Sequence, residues 1–106
     1  MKPNLHDALF HSYRLECSQS ATVVIEVSFR ADENSRDRSP ATIRITNVDA
    51  MACNVDLARQ AIHAKYGNVS DWSPSKGRGT TFIHLAGGTI SVFGDEPEFS
   101  GDAGSS

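Results

Sequence analysis

From Thr22 to Phe29 the chain alternates, with Val23, Ile25, Val27 and Phe29 on one side and Thr22, Val24, Glu26 and Ser28 on the other. A period of two predicts a strand with one buried face. Upstream, His11, Tyr13, Leu15 and Cys17 alternate with Ser12, Arg14 and Glu16, and Ser18-Gln19-Ser20 is a short polar connection. The two segments therefore read as a hairpin. The residues from Ala31 to Pro40 are almost wholly polar and end in a proline, which predicts a long exposed loop. A third strand follows, in which Ile43 and Ile45 alternate with Thr42, Arg44 and Thr46, and Val48 and Asp49 lead out of it.

Beyond Asn54 the period changes. Val55, Leu57, Ala58, Ala61, Ile62 and Lys65 recur at spacings of three and four, with Asp56, Arg59, Gln60 and His63 opposite. This predicts an amphipathic helix, capped by Asn54 and ended by Gly67 or Asn68. Residues 67 to 79 read as a long irregular loop holding Trp72, Lys76 and Arg78. Thr81, Ile83 and Leu85 then alternate with Phe82 and His84, Gly87-Gly88 signals a two-residue turn, and Ile90 and Val92 return on a partner strand. The fold class expected is α+β: a mainly antiparallel sheet of about five strands with one helix packed on one face.

Composition bounds this picture. The 106 residues suit one domain, are 39% hydrophobic and carry a formal charge of −3. That charge is uneven. Residues 1–94 hold ten basic and nine acidic side chains, whereas Asp95, Glu96, Glu98 and Asp102 make the last twelve residues strongly acidic. With Phe99 as its one large apolar residue, the segment 95–106 reads as a disordered acidic tail on a single domain spanning 1–94. A nearly neutral domain argues against nucleic-acid binding, which depends on neutralising many phosphates. The apolar run from Ala21 to Val27 is broken by Glu26 and is too short to cross a bilayer, and the N-terminus has no apolar secretory core. The expected location is the cytoplasm.

Candidate chemistry is sparse. Cys17 and Cys53 lie far apart in sequence, without neighbouring ligands, and read as two buried thiols rather than a zinc site or disulfide framework. His6-Asp7 are chain neighbours that do not point at each other, and His11, His63 and His84 never recur at a ligand-pair spacing, so no metal or other cofactor is implied. No catalytic residue is assigned, because nothing pairs Ser12, Cys17 or Cys53 with a base. The loop Ser73-Pro74-Ser75-Lys76-Gly77-Arg78-Gly79 has the glycines, hydroxyls and cations of an anion site but not the order of a Walker loop. Lys76 and Arg78, with His84 on the strand beyond, are the candidate anion-binding set for a small-anion-binding protein or an enzyme. Trp72 is either an interface anchor or a buried fastener of this loop. Glu26 and Arg44 are expected to pair across the sheet, and a further alternative is a homo-oligomeric structural domain, in which Phe82, Phe93 and Val24 form an apolar patch for homodimerisation.

Leu5-His6-Asp7-Ala8, the two alternating strands, the polar loop, the Ile43 to Val48 strand and the Ile83 to Val92 hairpin with Gly87-Gly88 resemble a group of small bacterial proteins. These are uncharacterised or grouped with the immunity proteins of polymorphic toxin systems. The resemblance implies a non-catalytic cytoplasmic protein that neutralises a toxin domain by binding it. Either a monomer or a homodimer is expected. The candidate contact residues are Trp72, Lys76, Arg78, Asp95, Glu96 and Glu98, with the acidic tail as a mimic of an anionic substrate.

Overall fold

A computed structural model describes residues 5, 8–29, 39–56 and 69–101. They form eight strands: β1 (Leu9–Cys17), β2 (Ala21–Phe29), β3 (Ser39–Ile45), β4 (Ala50–Val55), β5 (Val69–Ser73), β6 (Gly79–Leu85), β7 (Gly88–Gly94) and β8 (Glu98–Gly101). Two four-stranded sheets result, ordered β1-β2-β3-β8 and β4-β7-β6-β5, with every pairing antiparallel. The fold is all-β, which corrects the α+β expectation; among the described residues there is no helix.

Two of the strands expected from alternation are present almost to the residue. In β2 and β3, Val23, Ile25 and Val27 stand opposite Ile45, Ile43 and Ala41, and all six are buried. Ile83, Leu85, Ile90 and Val92 supply the facing layer from β6 and β7. Pro40 lies inside β3 rather than in a loop, opposite Ser28 of β2 and just beyond the Ala41 to Arg44 stretch that pairs with β8.

The helix expectation fails at its start. Residues 50–55 pair with β7, and the supposed cap Asn54 stands opposite Thr89. Met51 and Val55 pack on the core as strand positions, so an available sheet edge overrides the helical spacing. The remainder of that stripe, 57–65, lies outside the described residues. Gly88 makes the pairing close: a Cβ there would fall 1.8 Å from the Asn54 carbonyl oxygen. The turn itself is Ala86-Gly87, one residue earlier than the Gly87-Gly88 signal, with Leu85 and Gly88 as its closing pair.

Part of the expected loop is also a strand. β5 shifts register between Val69 and Asp71, so Val69 and Trp72, three residues apart, are both buried. The shift removes the alternation that would otherwise reveal a strand. Glu98–Gly101, read from composition as tail, forms β8, and residues 102–106 lie outside the described residues. Phe99 explains the difference. Its ring meets Phe29 edge-on at 5.1 Å and Trp72 at 6.3 Å, joining the two sheets through one aromatic cluster.

Two stability predictions follow from these contacts. Replacing Phe99 with Ala should cost about 2–3 kcal/mol in a denaturant titration followed by Trp72 fluorescence, because it removes the aromatic link between sheets. Gly88→Ala should cost about 2 kcal/mol or more in the same titration, because the added methyl meets backbone rather than a movable side chain.

Candidate functional site

Three surfaces carry polar or exposed groups worth chemical attention. The first is a corner where the chain crosses between sheets. Asn47, between β3 and β4, has a φ of 52°, a left-handed conformation that Asn tolerates well. Its carbonyl accepts from Arg78 Nη1 at 2.8 Å, and its Nδ2 donates to Asp95 Oδ2 at 2.7 Å. Arg78 is also paired with Asp49 and, at 3.1 Å, with Asp95, and its guanidinium carbon sits 5.1 Å from the centre of the Phe93 ring. Glu96 Oε1 accepts the Gly77 amide at 2.6 Å, where Gly77 takes a φ of 69°.

The electrostatics of this corner are internally balanced. The Asp95 carboxyl is held below its ordinary range chiefly by the Asn47 amide and then by Arg78, with partial desolvation opposing both. Arg78 is pushed further above its ordinary value, first by its hydrogen bond to Asp95. The guanidinium expected to hold an anion therefore already faces two carboxylates. His84 does not join it: six residues along β6 is about 20 Å, and the His84 ring instead lies parallel to Phe82 at 6.1 Å. Lys76 lies in the loop before β6, apart from His84. Asp95 and Glu96 belong to the corner, and Glu98 stands on β8 opposite Arg44, so these acids form no free acidic arm. Trp72 is 2% exposed and fastens its segment to the core rather than facing a partner.

The second surface is the outer face of the first sheet. The register shift between Phe10 and Ser12 leaves His11 as an extra residue and turns its ring to the outer face, where Nε2 lies 2.7 Å from Ser28 Oγ. Both line a depression of about 390 Å³ together with Glu26, Pro40, Thr42 and Ser100. A Ser–His pair acts in acyl transfer only when a third group orients the imidazole. Glu26, the acid lining the depression, is held by Arg14 Nη1 at 3.1 Å and by Ser12 Oγ at 3.4 Å. The expected Glu26–Arg44 pair is thus corrected: Arg14 on β1 is the partner, and Arg44 stands opposite Val24.

The third surface is β1 itself. None of its nine residues is buried, although β2 beside it is mostly buried. Tyr13 and Leu15 stand opposite Ile25 and Val23, on the inward side of the sheet, yet are 44% and 54% exposed. Just before the strand Ala8 is buried and its carbonyl accepts the Val69 amide at 3.0 Å, whereas from His11 to Cys17 every residue is exposed. Cys17 and Cys53 are both exposed free thiols, which corrects the expectation of buried ones. The apolar patch is also divided. Phe82 and Phe93 are exposed on the second sheet, whereas Val24 is buried in the first, flanked in register by Arg14 and Arg44.

No family model matches the chain, and neither a curated protein nor a solved structure matches it. Among the described residues no three metal-ligating side chains converge, and no helix is long and apolar enough to cross a membrane. His6, Asp7, His63 and Asn68 lie outside the described residues.

Sequence reasoning did not find Asn47, Asp49, His11 with Ser28, or the openness of β1. Only the first left a local signal, an Asn directly after an alternating strand. The corner gives a pH prediction. A carboxyl with a lowered value adds stability that is complete above the ordinary range and is lost as pH falls through the lowered value. Asp95→Asn should therefore melt below the parent at neutral pH, and the gap should close on acidification below the ordinary value of 3.8, measured by parallel thermal melts.

Proposed function

We propose that the chain is a non-catalytic protein-binding domain that docks through strand β1. One observation carries this reading: among the described residues β1 has a strand on one edge only, and its Tyr13 and Leu15 are exposed on the side that a sandwich normally covers. An open edge offers unpaired backbone donors and acceptors, and an extended segment of a partner satisfies them by adding a strand. The side chains of Tyr13 and Leu15 then supply the apolar contact that such pairing needs. Recognition of this kind rests on backbone geometry and requires no sequence motif.

The catalytic and small-anion alternatives have less support. Arg78 is held by two carboxylates, and the acid beside His11 and Ser28 is held by Arg14 and Ser12. An immunity-type protein that neutralises a toxin domain is the specific form of binding that the sequence resemblance implies, and strand addition at β1 is the mode this surface favours. The cytoplasm is the location proposed, because exposed free thiols at Cys17 and Cys53 persist in a reducing compartment.

The test is comparative capture. Leu15→Lys places a charge in the apolar contact of the open edge, whereas Thr80→Lys changes the outer face of the opposite sheet. Proteins retained from an extract of the producing cells by the parent and by T80K, but lost with L15K, are the expected result. Retention indifferent to L15K would overturn docking through β1.

A further inference from the structure

The open edge carries a charge pattern that selects its own occupant. Along β1, Ser12, Arg14 and Glu16 lie on the outer face and Tyr13, Leu15 and Cys17 on the inner one. Two copies of a strand related by a two-fold axis pair antiparallel, with one residue opposite itself. Centring on Arg14 sets two guanidinium groups face to face, and centring on Glu16 sets two carboxylates face to face. Centring on Tyr13 places Arg14 opposite Ser12 and leaves both charges without a charged partner. Centring on Leu15 is different: Arg14 of each copy then stands opposite Glu16 of the other, twice over by symmetry.

We infer that β1 pairs with β1 of a second copy, antiparallel and centred on Leu15, making one continuous eight-stranded sheet across a two-fold axis. The inference rests on reading β1 as a docking edge and names the strand that takes it. On the inner side the same register brings Leu15 against Leu15 and Tyr13 against Cys17, covering the exposed apolar groups. On the outer side the second copy's Glu16 extends a network already present, in which Arg14 lies 3.1 Å from Glu26 and 3.5 Å from its own Glu16. Opposite charges directly across a strand pair stabilise it, and like charges there do the reverse.

The projecting part of β1 lacks two of the devices that keep edges from pairing, and its two charges, Arg14 and Glu16, are of opposite sign. His11 to Cys17 contains neither Lys nor Pro, and the irregularity in β1 falls between Phe10 and Ser12, at the end of the strand nearest the core. The other sheet edges are shorter: β8 has four residues, β5 has five and a register shift, and β4 has six.

The decisive experiment is sedimentation of the full chain over a dilution series, for the parent, R14E, E16R and an equal mixture of the two variants. R14E alone and E16R alone each set like charges opposite one another, and each should weaken dimerisation about ten-fold or more. Mixed, the two restore opposite charges at both positions and should form a heterodimer as tight as the parent. Singles that dimerise like the parent, or a mixture that stays monomeric, overturn the register. A cross-linking arm reads the same geometry: in a Cys17→Ser, Cys53→Ser background, L15C should form a disulfide-linked dimer on mild oxidation and R14C should not. Equal cross-linking of both overturns it. A parent that sediments as a monomer at every concentration removes the second copy as the occupant. If L15K then still loses captured protein, docking through β1 stands with a different partner; if it does not, both readings fall.

Discussion

A four-stranded antiparallel sheet with one apolar face is stable in water only when something covers that face, and here each sheet covers the other. The β2 and β3 layer of Val23, Ile25, Val27, Ile43 and Ile45 faces Ile83, Leu85, Ile90 and Val92 on β6 and β7. Phe29, Phe99 and Trp72 join the two layers. The chain must therefore cross between sheets, and the polar corner of Asn47, Asp49, Arg78 and Asp95 sits where the segments before β4, before β6 and after β7 come together. Charges that look available in the sequence are engaged in fixing those crossings.

Coverage is also what gives the molecule a face to use. The second sheet is bounded by β4 and β5, and none of the nine residues of β1 is buried. The result is a strand paired with β2 along one edge that, among the described residues, has no strand on its other edge, and whose inward side chains Tyr13 and Leu15 are exposed. Rigidity matters here, because a strand already in extended geometry loses little entropy when another strand is added. The Arg14 pairs with Glu16 and Glu26 hold the outer face of the same strand in a defined charge order. Exposed ion pairs of this kind add little stability. In the proposed pairing they select the register of the second copy's strand.

The depression beside His11 shows how position without support falls short of chemistry. The bulge in β1 brings an imidazole to a serine hydroxyl, which is the first requirement of an acyl-transfer pair. The carboxylate that could orient the imidazole is instead drawn to Arg14 one strand away. The same arginine thus both orders the edge of the sheet and takes up the acid of the depression.

Alternation by itself determined β2, the core of β3 and the β6–β7 hairpin, because in these strands every second side chain is buried and no bulge interrupts the count. It also placed the β1–β2 hairpin. What the sequence could not decide was coverage: Tyr13 and Leu15 alternate as an inward-facing strand should, yet both are exposed in the folded chain. Val55 opens the helical spacing of 55–65 yet ends β4, because residues 50–55 pair with the edge of β7 opposite β6. One register shift hid β5, a single Phe hid β8, and the partners of Arg78 come from positions 31, 29 and 17 residues away. Periodicity is a property of neighbours along the chain, whereas coverage, register and charge pairing are set by what lies across the sheet, and those distances exist only once the two sheets have closed.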